Sequence, residues 1–303
     1  MGFGRPPHRS PLLLAALVSV GACLSAQAPS PFDSTRAYTH VRDQVALGPR
    51  PAGSPANIKT REYIIRTLAQ AGYQAVEQPF DASTPVGRVK MANVIATLPG
   101  DRPERIVIAS HFDTKPIDEF RFVGANDGGS STGALLELAR VLKSRPRPPF
   151  TIEFLFFDGE EAWGEWRDPN HTYGSRHYVT AARSAGTLAS LKALILLDMI
   201  GDRGLNLRRD TNSTPWLTDI VWAAAKRLGH GAHFLDEPFP VEDDHIPFLK
   251  AGVPSVDLID LDYADWHQAG DTLDKVSARS LQIVGDVVLA ALPDIEARLL
   301  KAK

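Results

Sequence analysis

Apolar residues recur at three- and four-residue intervals through STRAYTHVRDQVALG and again through NIKTREYIIRTLAQAGY. That is the spacing of amphipathic helices, with GPRPAGSP breaking the two apart and Gly72 ending the second. YQAVEQPF and MANVIATLPG are shorter apolar runs and predict strands at the edge of a sheet. From residue 105 the pattern becomes regular. RIVIAS, TIEFLFF, LKALILLDM and PSVDLID are nearly continuous apolar runs, as expected of strands covered on both faces. GALLELARVLKS, YGSRHYVTAARSA, PWLTDIVWAAAKRLG and SLQIVGDVVLAALPDIEARLL carry helical spacing between and after them. Alternation of this kind predicts an α/β fold of one domain, a mostly parallel twisted sheet with helices on both faces. No internal repeat interrupts it, and the Pro-rich RPRPP reads as a turn before Thr151.

Composition adds limits. With 303 residues, 44% hydrophobic and 23% charged, the chain can bury one large core. A formal net charge of -3 and scattered basic residues give no footprint for nucleic acid, which is excluded as a partner. The N-terminus differs from the rest. Arg5, His8 and Arg9 precede PLLLAALVSVGACL, and AQA at residues 26–28 has the small-x-small pattern of a signal-peptidase site. Residues 1–28 are thus expected to be a signal peptide, 29–36 a Pro/Ser-rich linker and 37–303 the folded domain. An exported protein follows, periplasmic or secreted, with lipid anchoring as the alternative because VGAC ending at Cys23 resembles a lipobox. Cys23 is the only cysteine. The mature chain therefore has no disulfide and no thiolate, and any metal must be held by histidine and carboxylate.

In open parallel sheets ligands bind beyond the carboxyl ends of the strands. His111 and Asp113 follow RIVIAS, Glu160 and Glu161 follow TIEFLFF, Asp198 closes LKALILLD, and Trp266 and His267 follow PSVDLID. Asp127 lies in the loop GANDGGSS before a helix. Singly, such residues have plain explanations: Asp127 before Gly128 reads as a helix cap and His267 as a surface histidine. Together, five segments deliver acids and histidines to one sheet edge, the groups a hard or borderline cation prefers. Adjacent carboxylates in FFDGEEAWGEW repel and are costly near apolar surface unless compensated. A catalytic zinc site with an open position supplies that compensation, one glutamate binding the metal and its neighbour carrying protons.

The segments SHFDT, GANDGG, DGEEAW, YGSRH, LLDMIGD, DDHIPFLKAGVP and WHQAGDTLDKV resemble the M28 family of zinc aminopeptidases and the glutaminyl cyclases on the same fold, over about residues 40–280. The insertion AWGEWRDPNHTY before Gly174, the string DDHIPFLKAGVP and the tryptophan preceding His267 resemble the animal-type cyclases. The resemblance implies one zinc per chain held by Asp127, Glu161 and His267, with Glu160 as general acid/base. It places Asp198 and Asp243 as carboxylates around the proton path and Trp166, Trp266 and Tyr263 as pocket walls. It also implies cyclisation of N-terminal glutamine in peptides or proteins. Nothing in the composition points to a stable protein partner, and a monomer is expected. The sequence departs from the animal enzymes in lacking the disulfide beside the site, and Tyr263 matches their aromatic position only approximately.

Three other readings remain open on the residues. In a two-zinc aminopeptidase His111 and Asp198 would bind a second metal and Asp127 would bridge. GSSTG at residues 129–133 fits G-x-S-x-G with Asp198 and His267 following in order, but RFVGAND before it is too polar for the strand that a nucleophile elbow requires. A non-catalytic binding module is disfavoured by the intact set of acids and ligands. Arg50 and Ser54 are expected to organise a turn, His40, His230 and His233 to face solvent, and His171 and His177 to flank the site.

Overall fold

The structure, a computed structural model, describes residues 1–4 and 30–301. The expected signal peptide, including His8 and the lipobox at Cys23, falls almost wholly outside them. Among the described residues no helix is long and apolar enough to cross a membrane.

The compact unit begins at Pro31. Helix α1 (Ser34–Leu47) starts where the Asp33 carboxylate accepts from the Thr35 and Arg36 amides. Phe32 is buried, at van der Waals distance from Gly285 of α7 (Ala278–Lys301). The boundary is therefore earlier than expected: residues 31–36 belong to the domain and are not linker. Helix α2 (Pro55–Gln70) has Ser54 as its cap and proline in its first turn, where the absent amide costs nothing.

Six strands form the main sheet in the order β1 (Val76–Thr84), β2 (Gly87–Leu98), β4 (Phe150–Phe157), β3 (Arg102–His111), β5 (Leu191–Asp198), β8 (Ser255–Ile259). β4, β3, β5 and β8 run parallel, while β2 is antiparallel to both β1 and β4. This confirms the α/β sandwich and corrects one detail. β2 is an interior strand, because Val94–Leu98 pair with β4, and of the two expected edge strands β1 alone, mostly exposed and carrying Pro79, lies at an edge. A second sheet of β6 (Leu207–Asp210) and β7 (Phe234–Phe239) had no counterpart in the apolar pattern.

Alternate residues of the central strands serve different layers. Ile106, Ile108, Ile195 and Leu197 join the core under α1, α3 (Gly129–Lys143), α5 (Pro215–Arg227) and α7. Val107, Ala109, Leu194 and Leu196 pack on the other face against Tyr178 and Val179 of α4 (Tyr173–Ser184) and Phe248 of α6 (His245–Lys250). Helix cover on both faces leaves the strand ends as the place where side chains can gather.

Burial alone pushes the Glu296 carboxyl on α7 up to about 7. Its folded-state value thus lies above the unfolded one, so the folded state binds more protons and loses stability as pH rises from about 4 to about 7. Glu296→Gln mimics the protonated form. It should raise Tm at pH 8, by less than about 1 kcal/mol in stability because the side chain is partly solvated, and leave Tm unchanged below pH 4. Thermal unfolding at the two pH values checks this; equal shifts at both would contradict it.

Candidate active site

The two adjacent glutamates are held through their main chain. The Asp113 carboxylate accepts from the Glu160 amide at 3.1 Å and the Glu161 amide at 3.2 Å, one oxygen each. Asp271 does the same for the Asp127 loop, accepting from Asn126 N at 2.8 Å and Asp127 N at 3.1 Å, with the Tyr263 hydroxyl donating to it at 2.8 Å. Next to Asp127, Gly128 turns at φ 71, and a Cβ there would sit 2.7 Å from the Asp113 carbonyl oxygen and 3.0 Å from the His111 ring. Only glycine fits that approach.

Beneath these loops Arg50 is fully buried, donating to the carbonyls of Phe112 at 2.7 Å, Val123 at 2.6 Å and Gly124 at 2.8 Å. It ties the loop after β3 to the loop of Asp127, where the sequence reading expected it only to organise a turn. Arg50→Ala strands three buried carbonyls and should cost roughly 3 kcal/mol or more of unfolding free energy in denaturant titration. A change under about 1 kcal/mol would show that water replaces the guanidinium.

Among the described residues, three non-glycine residues adopt left-handed backbone: Thr172 at φ 50, Met199 at φ 44 and His267 at φ 53. All three border the candidate site, directly before α4, directly after Asp198, and at a candidate ligand. Strain of this kind, about 1 kcal/mol or more per residue, persists where surrounding contacts dictate it and concentrates at functional sites.

His267 Nε2 lies 3.3 Å from Asp127 Oδ2 and 3.2 Å from Glu161 Oε1. His111 Nε2 lies 3.3 Å from Asp127 Oδ1 and 3.1 Å from Asp198 Oδ1. Two triads with metal-ligand spacing result, Asp127–Glu161–His267 and His111–Asp127–Asp198, sharing Asp127. The first fits a cation on its own chemistry. Asp127 Oδ2 and Glu161 Oε2 are buried carboxylate oxygens without a hydrogen-bond partner, a costly state that a bound cation relieves. Its nitrogen and oxygen donors suit zinc.

Burial raises Glu160 well above the usual carboxylate range; His111 opposes this, and Glu161, Asp243 and Asp244 add to the rise. Asp243 is likewise pushed well above its usual value by burial, with Asp198 and Asp244 reinforcing. For Asp127 burial acts upward, but the His111 and His267 rings 3.3 Å away win and hold it below the usual range. Burial pulls His267 down, yet Glu161 and Asp127 outweigh it and take it up to about 10. A cation between these groups needs His267 neutral, so its binding displaces a proton.

Asp127, Glu160, Glu161, Asp198, Asp243, His267, Trp166 and Trp266 all line one cavity of about 390 Å³, with Met199, Val241, Ile259 and Leu261 as apolar wall. His111 stands behind it, buried, between Asp198 and Glu160, with its Nδ1 3.8 Å from Glu160 Oε2. Of the expected wall residues Tyr263 is the exception. It is buried and outside the lining, and its hydroxyl is spent on Asp271, so it supports the Asp127 loop from behind. Ser131 of GSSTG is buried in the first turn of α3, and loop rather than strand precedes Gly129, so no nucleophile elbow exists.

Asp113 was read only as one of the strand-end acids, not as a clamp, and several residues had no role in the sequence reading: the clamping acid Asp271, Lys115 at 3.6 Å from Glu161 Oε2, and Asp244, which accepts from Ser175 Oγ at 2.5 Å. His245 lies fully buried with its Nε2 3.0 Å from Asp210 Oδ2. Asp210 also accepts from the Val241 amide at 2.9 Å and so anchors the segment leading to Asp243. His40, expected to face solvent, is partly buried with its Nδ1 2.6 Å from the Tyr63 hydroxyl.

The profile of peptidase family M28 matches residues 93–292. A Mus musculus glutaminyl-peptide cyclotransferase-like protein is 34% identical over 254 residues, covering 74% of this chain and 66% of the relative, so the chain spans about two thirds of that relative's length. The crystal structure of an Acidobacteriales bacterium glutaminyl cyclase is 40% identical, with a TM-score of 0.86, covering 94% of this chain and 100% of that one. A Bacteroides thetaiotaomicron protein described as a leucine aminopeptidase precursor shares the fold at 28% identity and a TM-score of 0.81, over 88% and 98% of the two chains. With the M28 profile across the site and 40% identity over the full length of a solved cyclase, this chain belongs to the glutaminyl cyclases of peptidase family M28.

Proposed function

We propose that the protein is a zinc-dependent glutaminyl-peptide cyclotransferase, converting N-terminal glutamine of peptides or proteins to pyroglutamate with release of ammonia. The observation that carries the reading is Glu160, a buried carboxyl lining the cavity beside the Asp127–Glu161–His267 triad yet outside both ligand sets. Such a group is free to carry protons.

A zinc held by the triad would polarise the side-chain amide carbonyl of the substrate's glutamine. Glu160 takes a proton from the α-amine as its nitrogen forms a bond to the amide carbon, then delivers that proton to the amide nitrogen as the C–N bond breaks. One ammonia leaves and the lactam remains. Asp198 and Asp243, lining the same cavity, oppose a full negative charge on Glu160 and keep its proton affinity high. Trp166 and Trp266 limit water at the amide, so that the amine rather than hydroxide attacks.

A two-metal aminopeptidase is the second reading, favoured by one feature: the two oxygens of Asp127 face His267 and His111 separately, as a bridging carboxylate would. The insertion that carries Trp166, the tryptophan before His267 and the 40% identity to a solved cyclase support cyclisation over it. The N-terminal segment supports export, with a lipid anchor at Cys23 as the alternative. Nothing in the composition calls for a stable partner, and a monomer is expected.

Ammonia release from a glutamine-initiated peptide tests the proposal. Release should stop on chelation and return with added zinc, and a leucine-initiated peptide should yield none. Release that survives exhaustive chelation would overturn the metal assignment.

A further inference from the structure

The inference deepens the proposed function and rests on Trp166 being a wall of the substrate cavity. Between Glu160 and Tyr173 the chain leaves the sheet edge and returns to it. Two main-chain hydrogen bonds close the stem, Thr172 N to Glu160 O at 2.7 Å and Tyr173 N to Gly159 O at 2.8 Å. Residues 163–170 in between are half-buried or exposed. Loops of this type are held by packing of their own side chains.

Here both tryptophans of the excursion fold back onto the stem. Trp163 meets Tyr173 edge-on with ring centroids 6.0 Å apart, and Trp166 lies face to face with His171, centroids 4.1 Å apart and planes 18° from parallel. The contacts differ in surroundings. Trp163 and Tyr173 join an apolar cluster with Ala52, Ala82 and Met91, whereas Trp166 borders the cavity. His171 is only 2% exposed, with its Nδ1 3.2 Å from the Thr172 hydroxyl. It lines a second cavity of about 380 Å³ together with Arg176 and Lys250. The stacked pair is thus the partition between the two cavities.

An indole on an exposed loop samples several rotamers unless something flat backs it. We propose that His171 is a positioning residue for substrate binding: its buried ring backs the Trp166 indole and fixes it as a cavity wall. Its polar contacts go to Thr172 and Asp168, not to the candidate metal ligands or Glu160, so it acts on substrate affinity and not on proton transfer.

Steady-state kinetics on a glutamine-initiated peptide with zinc-loaded protein tests this in Trp166→Ala, His171→Ala, His171→Phe and the Trp166→Ala/His171→Ala double variant. His171→Ala should raise KM roughly five- to tenfold, the size of a lost ring stack, with kcat within about twofold. His171→Phe should restore KM, and the double variant should be no worse than Trp166→Ala alone, since His171 works through Trp166. If His171→Ala does not fold, His171→Leu, which fills space without a flat ring, takes its place with the same expectation. A raised KM in Trp166→Ala with an unchanged KM in His171→Ala would overturn the proposal. So would a folded His171→Phe as impaired as His171→Ala. An unchanged KM in Trp166→Ala would instead bring down the wall reading itself, and the positioning role with it, while leaving cyclisation intact.

Discussion

Glu160→Gln should lower kcat by roughly 10²- to 10⁴-fold, the range that one positioned acid/base supplies, while zinc content stays unchanged. The substitution keeps the shape and the burial of the side chain but cannot accept the amine proton. Glu160 belongs to neither ligand triad, so the metal should survive. Its main-chain amide still reaches Asp113, so Glu161 next to it should keep its place. Removing one buried carboxylate also relieves repulsion with Glu161, Asp243 and Asp244, so the variant should be at least as stable as the parent. The pair of readings, metal retained and turnover lost, is what separates a proton carrier from a ligand. Full activity in Glu160→Gln would remove the acid/base assignment.

His267→Ala should abolish metal binding and turnover together, whereas His111→Ala should keep about one zinc per chain. The contrast follows from which triad holds the ion. His267 supplies the nitrogen of Asp127–Glu161–His267, and its loss leaves two buried carboxylates facing each other with a single cation's worth of charge uncompensated. A three-ligand catalytic site does not hold zinc well on two. His111 belongs to the other triad, and with one metal it serves to hold Asp127 and Asp198 in place. Its loss should weaken activity without emptying the site. The two-metal reading differs in the parent protein: zinc near two per chain, falling to near one in His111→Ala, where the one-metal reading has no fall. Metal analysis on the three proteins separates these outcomes.

The central strands and the acids at their ends were legible because burial on both faces demands continuous apolar runs, and because strand ends in a parallel sheet are where ligands gather. The misplaced features have physical reasons. β2 looked like an edge because MANVIATL is a short apolar run beside a mostly exposed strand; in the fold Gly87–Ile95 pair with β1 and Val94–Leu98 with β4, which places it inside the sheet. β6 and β7 carry LRRD and FLDEPF, too short and charged for an apolar signal, and their Arg209 side chain pairs with Asp236 and Asp219 instead. The start of the domain was set at residue 37, three residues after α1 begins, because a lone Phe32 in a Pro/Ser-rich stretch gives no period, yet it seats on Gly285.

Within the site, identity was readable and support was not. Asp113 and Asp271 appear in the sequence as two more acids, and only the fold shows each accepting two consecutive main-chain amides. Tyr263 was placed on the wall by an approximate match to the cyclases' aromatic position, but a tyrosine hydroxyl seeks a partner when buried, and Asp271 behind the wall provides it. The stacking of His171 on Trp166 depends on a loop that folds back on its own stem, which no spacing rule describes.

The account stands most directly on the identity of the product. Purified, zinc-loaded protein should be incubated with a short peptide beginning with glutamine, and the product followed by mass spectrometry beside a chelator-treated control. The account predicts zinc-dependent loss of one ammonia from an otherwise intact peptide; release of the first amino acid would contradict it and recast His111 and Asp198 as ligands of a second metal.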